Sequence, residues 1–203
     1  MNIKDQISNN RRSLFDLYDQ TQVTTTQNQS LELTEGLEQA VLMIKAAAER
    51  RSKLFFIGNG GSAAIASHMA VDFWKNLGIA AMTFNDGPLL TCLSNDEGYD
   101  QVFKRSVGMF AQKGDILVAI SSSGQSQNIL NAVQAAIEHE MQVITLSGFH
   151  ADNHLRRCGD LNFYVPAAHY GYVEVLHHAI CHCWVDTLMA SKLDISEEEK
   201  ITI

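Results

Sequence analysis

GDILVAISSSGQSQNIL, residues 114–130, holds a strand, a hydroxyl-rich turn and the start of a helix in one uninterrupted stretch. Its apolar run, ILVAI, does not alternate with polar residues, which is the pattern of a strand buried on both faces. The turn SSSGQS carries four hydroxyls around one glycine, and the helical pattern NILNAVQAAIEH begins within it. A strand that passes to a helix through a short polar turn is the repeating half-unit of a parallel α/β sheet.

The same rhythm extends in both directions. Strands are expected at LFFIG (54–58), AAMTF (80–84), DILVAIS (115–121), QVITLSG (142–148) and LNFYV (161–165), bounded by glycine, serine or aspartate. Helices are expected over roughly 62–77, 99–112, 126–139 and 172–191, with a short one near 88–94. The fold class is therefore α/β, with five strands in one parallel sheet and helices on both sides. Upstream, Ile3, Ile7, Leu14, Leu17 and Tyr18 mark an amphipathic helix within residues 1–22, and Leu37, Val41, Ile44 and Ala48 mark a second. The polar TTTQNQS between them, residues 24–30, reads as a linker. Residues 1–30 are thus expected to form an oligomerisation helix with its linker, and residues 31–203 the main domain. The first helix has no obvious place to bury its stripe within one α/β unit, so it is expected to pack on another subunit.

Composition narrows the function. Of 203 residues, 46% are hydrophobic, 19% are charged and two are proline, which excludes a disordered chain or a disulfide scaffold. The net charge of −8, with only fifteen Lys and Arg, argues against nonspecific nucleic-acid binding, so any anionic ligand must be gripped locally. No apolar run approaches the roughly 18 residues of a membrane span. The N-terminus lacks the apolar core of a signal peptide, so a cytoplasmic location with four reduced cysteines is expected.

Ligands of open α/β sheets bind where strands end and helix N-termini begin. Gly58-Asn59-Gly60-Gly61-Ser62 is one such turn, its glycines allowing close backbone approach. Ser121-Ser122-Ser123-Gly124-Gln125-Ser126 is the other. One serine is expected to cap the helix; four around a glycine fit the oxygens of a phosphate. The turn matches neither a P-loop nor a dinucleotide fingerprint, which favours a sugar phosphate over a nucleotide.

The ionisable residues gather on two helices. His68 and Asp72 lie four apart and share a face. Glu174, His178 and His182 repeat by four, with His177, Cys181 and Cys183 in the same turns. Carboxylate, imidazole and thiol are all zinc-ligand types. A histidine on a partly buried helix is more often a hydrogen-bonded core residue, and that reading outweighs a ligand role for His177 and His178. The Cys-x-Cys spacing is not that of a zinc knuckle.

FFIGNGGSAAIASHMAVDF (55–73), LLTCLSNDEGYDQVF (89–103), GDILVAISSSGQSQNIL (114–130), VITLSG (143–148) and YGYVEVLHHAICH (170–182) together resemble the sugar isomerase (SIS) domain, and within it the phosphoheptose isomerases. The resemblance implies a flavodoxin-like three-layer sandwich, a homotetramer with sites between subunits, and isomerisation of sedoheptulose 7-phosphate to a heptose 7-phosphate through an enediol. It implies that Ser121, Ser122, Ser123 and Ser126 hold the phosphate and that Asn59, Gly60, Ser62 and Asp96 contact the sugar. His68, Asp72, Glu174 and His182 stand where relatives bind zinc. Asp72 is the expected base and His182 the acid, with Glu174 the alternative base. Three departures stand out: Asp72 is one methylene shorter than the family's glutamate, Glu174 replaces a glutamine, and AAHYGY (167–172) lacks an aspartate common before the last helix. The alternative implied by the same resemblance is a non-catalytic regulatory module that binds a sugar phosphate, of the kind that associates with the replication initiator DnaA.

Overall fold

A computed structural model describes residues 2–200, with side chains placed for residues 2–191. Helix α1 (Ile3–Asp19) starts where the Asn2 side chain accepts a hydrogen bond from the Asp5 amide at 2.9 Å. Strands β1 (Gln22–Thr25) and β2 (Ser30–Leu31) follow, and then helix α2 (Leu33–Glu49). The α/β alternation runs through β3 (Leu54–Gly58), α3 (Gly61–Leu77), β4 (Ala81–Thr83), α4 (Gly87–Asp96), a 3-10 turn (Tyr99–Gln101), α5 (Val102–Phe110), β5 (Ile116–Ser121), α6 (Gln127–Glu138), β6 (Gln142–Ser147), a second 3-10 turn (Leu155–Arg157), β7 (Leu161–Tyr164) and α7 (Tyr170–Lys200).

The sheet order is β2-β1-β7-β6-β5-β3-β4. The five strands expected from sequence, β3 to β7, are parallel as expected. The sheet nevertheless has seven strands, because residues 24–30 do not form a linker. β1 pairs antiparallel with β7, Val23 opposite Phe163, and with β2 across a turn in which Asn28 adopts φ 58°. The physical reason lies in burial and β propensity: Val23 is in the core at 1% exposure, Thr24 beside it is buried too, and β-branched residues favour extended backbone.

Successive strand residues serve opposite faces. Leu54, Phe56, Val118, Ile120, Ile144 and Phe163 pack beneath α2, α3 and α7. Phe55, Ile57, Leu117, Ala119 and Val143 pack beneath α5 and α6. This is the three-layer sandwich, and it explains why the strands read as continuous apolar runs. The C-terminal part of α1 adds Leu14, Leu17 and Tyr18 to the first core, while Ile3, Ile7 and Phe15 stay exposed.

Candidate active site

The order of winding reverses beside β3: α3 covers one face of the sheet and α6, after neighbouring β5, the other. The loops at the carboxyl ends of these two strands therefore meet at the crevice where open sheets bind ligands. A cleft of about 310 Å³ opens there, lined by Asn59, Gly60, Ser62, Ser121, Ser122, Ser123 and Ser126 of the expected residues, and by Gly61, Ile120, Tyr170 and Glu174. The Ser121 and Ser126 hydroxyls face one another at 3.3 Å, and the Ser121 Oγ accepts from the Gly124 amide at 3.2 Å. The Ser122 Oγ is buried with no partner among the described residues. An unsatisfied hydroxyl in a polar cleft is suited to an incoming oxyanion.

The serine turn is braced from behind. Gly124 has φ 62°, and a Cβ there would collide with the Asn153 carboxamide. Fully buried Asn153 donates to the Ser147 Oγ and to the carbonyls of Gly148 and His150 at 2.8–3.2 Å. The two ligand loops are also tied together. Asn59 and Asn128 exchange two hydrogen bonds at 2.9 Å, and the Tyr99 hydroxyl donates to the Asn59 Oδ1 at 2.9 Å. Asn59 thus spends its side chain on joining loops. Asn128, Tyr99 and Tyr170 were not singled out by the sequence reading, whereas Gly61 was named in the glycine turn; an Asn in the first turn of the helix that follows the serine loop was the available signal for Asn128.

Asp96 does not reach this cleft. It is exposed at the end of α4, where its carboxylate accepts from the Asn95 Nδ2 at 2.8 Å and the Cys92 Sγ at 3.6 Å.

Helices α3 and α7 run side by side in the same direction from the cleft, and their facing side chains form a seam. At its start the Glu174 carboxylate lies where a Cβ on Gly61 would otherwise be. Glu174 makes no hydrogen bond or ion pair among the described residues. Further along, the Asp72 Oδ2 lies 3.3 Å from the His68 Nε2 and 3.9 Å from the His182 Nδ1, with the Asp72 Oδ1 3.4 Å from the Asn76 Nδ2. His178 stands between, its ring centroid 4.8 Å from that of His68 and 4.6 Å from that of His182.

The expected metal set is therefore only partly assembled. His68, Asp72 and His182 come together, Glu174 does not join them, and His178, assigned to packing from sequence, does. Ligand atoms of His68, His178 and His182 all lie within 4.8 Å of one another. Burial, and then the neighbouring His182 and His68, hold His178 below the ordinary imidazole range, which favours the unprotonated ring. Its buried Nε2 has no partner among the described residues. A neutral, unsatisfied imidazole beside two others and a carboxylate suits a borderline divalent ion such as zinc. His177 does belong to the core: it is fully buried and donates from Nε2 to the Ser147 carbonyl at 3.0 Å.

Comparison with known proteins agrees with this architecture. The SIS domain family profile matches residues 18–148. A phosphoheptose isomerase of Thiobacillus denitrificans is 36% identical over 173 residues, covering 81% of this chain and 88% of the relative. The structure of a phosphoheptose isomerase from Francisella tularensis superposes with a TM-score of 0.81 at 28% identity, over 94% of this chain and 100% of that one. That of the Neisseria gonorrhoeae enzyme gives 0.80 at 27% identity, over 93% and 100%. With the glycine and serine loops meeting at one crevice and the acid and imidazole residues in a seam beside it, the chain belongs to the SIS domain family and is phosphoheptose isomerase-like.

Proposed function

We propose that this protein is an aldose-ketose isomerase that converts sedoheptulose 7-phosphate to D-glycero-D-manno-heptose 7-phosphate. The observation that carries the reading is the free Glu174 carboxylate in the same cleft as four serine hydroxyls. A cleft of this size suits a phosphorylated sugar.

In this reading the phosphate lies on Ser121, Ser122, Ser123 and Ser126, and the first turn of α3 from Gly60 to Ser62 faces the carbon chain. Isomerisation requires removal of a proton from the carbon next to the carbonyl and its return to the neighbouring carbon. Glu174 is the base, because Asp72 is held by His68, His182 and Asn76. His182, the acid implied by the family resemblance, stands two turns along α7 from Glu174, where Asp72 orients its ring. A divalent ion such as zinc, held among the imidazoles of the seam, would supply Lewis-acid polarisation to a substrate oxygen that reached it.

The test compares two variants on sedoheptulose 7-phosphate. Glu174→Gln should lower kcat by roughly 100- to 10,000-fold, the usual range for a lost acid-base group, with KM changed only a few-fold. It should also abolish exchange of the substrate's carbon-bound hydrogen with solvent. Asp72→Asn should leave that exchange measurable. If Asp72→Asn stops exchange while Glu174→Gln does not, the base is Asp72 and this assignment fails.

Assembly into a homo-oligomer, a tetramer by the family resemblance, belongs to the same reading, with the exposed apolar face of α1 as the assembly surface rather than all of residues 1–30, since β1 and β2 belong to the sheet. Its support is the apolar surface left on single helices: Ile3, Ile7 and Phe15 on α1, Val71 and Trp74 on α3, and Val175 on α7. A cytoplasmic location belongs to this reading as an expectation; no described helix is long and apolar enough to cross a membrane, and the four cysteines are free thiols.

A further inference from the structure

Resting on that reading, we infer that His178 is a metal ligand of this protein and that Glu174 is not: a divalent transition-metal ion is held by His68, His178 and His182, while the carboxylate at position 174 stays free for proton transfer. The family pattern places a ligand at 174 and another at 182. Those positions are two helical turns apart, about 12 Å along the axis of α7. His178 lies midway on the same face, and its ring occupies the space next to both His68 and His182.

Geometry separates the two candidates for the third ligand. His68, His178 and His182 already present ligand atoms within 4.8 Å of each other. A tetrahedral ion with bonds of about 2.0–2.1 Å to nitrogen holds its ligands roughly 3.4 Å apart, so modest side-chain rotations close the set. Glu174 instead turns back over Gly61 into the sugar-phosphate cleft. Position 61 admits it only because glycine has no Cβ there.

The surroundings supply what a metal centre needs beyond its ligands. Asp72, at 3.3 Å from the His68 ring and 3.9 Å from that of His182, is the carboxylate that orients imidazoles in such centres. The half-exposed His68 gives an ion a path from solvent. Three imidazoles with an adjacent carboxylate select zinc, cobalt or nickel over magnesium or calcium, which require oxygen ligands. Two tasks that the family resemblance puts on one set of four residues are here divided between neighbouring sites.

The test measures metal binding without substrate, on the full chain stripped with a chelator. Zinc is titrated against a competing chromophoric chelator, and cobalt(II) is followed by its visible absorption. The wild type should bind one equivalent per chain with an intense tetrahedral-type cobalt spectrum. His178→Ala and His182→Ala should each weaken zinc binding by at least about 100-fold and bleach the cobalt bands, whereas Glu174→Gln should shift affinity by no more than a few-fold. Circular dichroism and binding of sedoheptulose 7-phosphate by the His178→Ala variant check that the fold and serine cradle persist; His178→Gln serves if the alanine variant does not fold. The inference is overturned if the wild type binds no zinc, if either His178 variant that folds binds zinc as the wild type does, or if Glu174→Gln loses zinc as His182→Ala does. Turnover plays no part in these readings, so absence of isomerase activity with this metal pattern intact would refute the substrate assignment alone.

Discussion

Gly61 has no side chain, and the Glu174 carboxylate fills the space a side chain would take. Its backbone is not in the left-handed region, and alanine is favoured over glycine within a helix. Gly61→Ala should therefore leave the thermal midpoint within a few degrees of wild type, yet displace the carboxylate and reduce kcat by about 100-fold, the scale of a misplacement near 1 Å. Steady-state kinetics beside a melting curve checks both halves. His177 gives a prediction of the opposite kind, on stability rather than rate. With Nε2 donating to Ser147, its Nδ1 is an acceptor without a partner among the described residues, and burial pulls its pKa down from 6.5 to about 4. The unfolded chain takes up a proton near pH 6.5 that the folded chain refuses until about pH 4, so stability falls as pH drops through that window. The full loss is about 3 kcal/mol, at ~1.4 kcal/mol per pKa unit. Urea midpoints at pH 7.5 and 5 should differ less in His177→Gln than in the wild type; equal differences would remove His177 as the source. Sequence spacing placed 174, 178 and 182 on one face and could not say which way each turned. That choice depends on Gly61 and His68, which lie more than a hundred residues away.

Elements were legible where burial dictates pattern. The strands at 54–58, 115–121 and 142–148 are covered on both faces, so their apolar runs have no competing explanation. β1 and β2 were not legible, because a four-residue strand with two threonines and a two-residue edge strand have the composition of a loop, and only the pairing of β1 with β7 and with β2 reveals them. The serine turn was legible as a ligand loop but not its bracing, since Asn153 reaches Gly124 from the far side of β6. Gly124→Ala must place a Cβ at φ 62° and against that carboxamide. Left-handed strain alone costs roughly 1–2 kcal/mol, so the variant should be destabilised by at least that much in urea titration. Its KM for sugar phosphate should rise at least tenfold while kcat is less affected, because the phosphate cradle is distorted and Glu174 is not. An unchanged KM would mean that the turn does not hold the phosphate.

For the whole molecule, the exposed apolar residues of α1 make assembly the property to measure. Ile7→Asp with Phe15→Asp, at 58% and 75% exposure, should leave the monomer fold intact and shift light scattering toward smaller species. Wild-type mass at monomer value would end the tetramer reading. One contact described above also bears on how the enzyme comes into being. Gly61 and Glu174 are 113 positions apart (174 − 61), and Glu174 lies on the last helix of the fold. A nascent chain released up to β7 carries both ligand loops in its sequence but lacks Val173, Leu176, Ile180 and Trp184, which close the core beneath α7. During biosynthesis the helix that completes the core therefore also delivers the carboxylate, so folding and chemistry are finished by the same last segment.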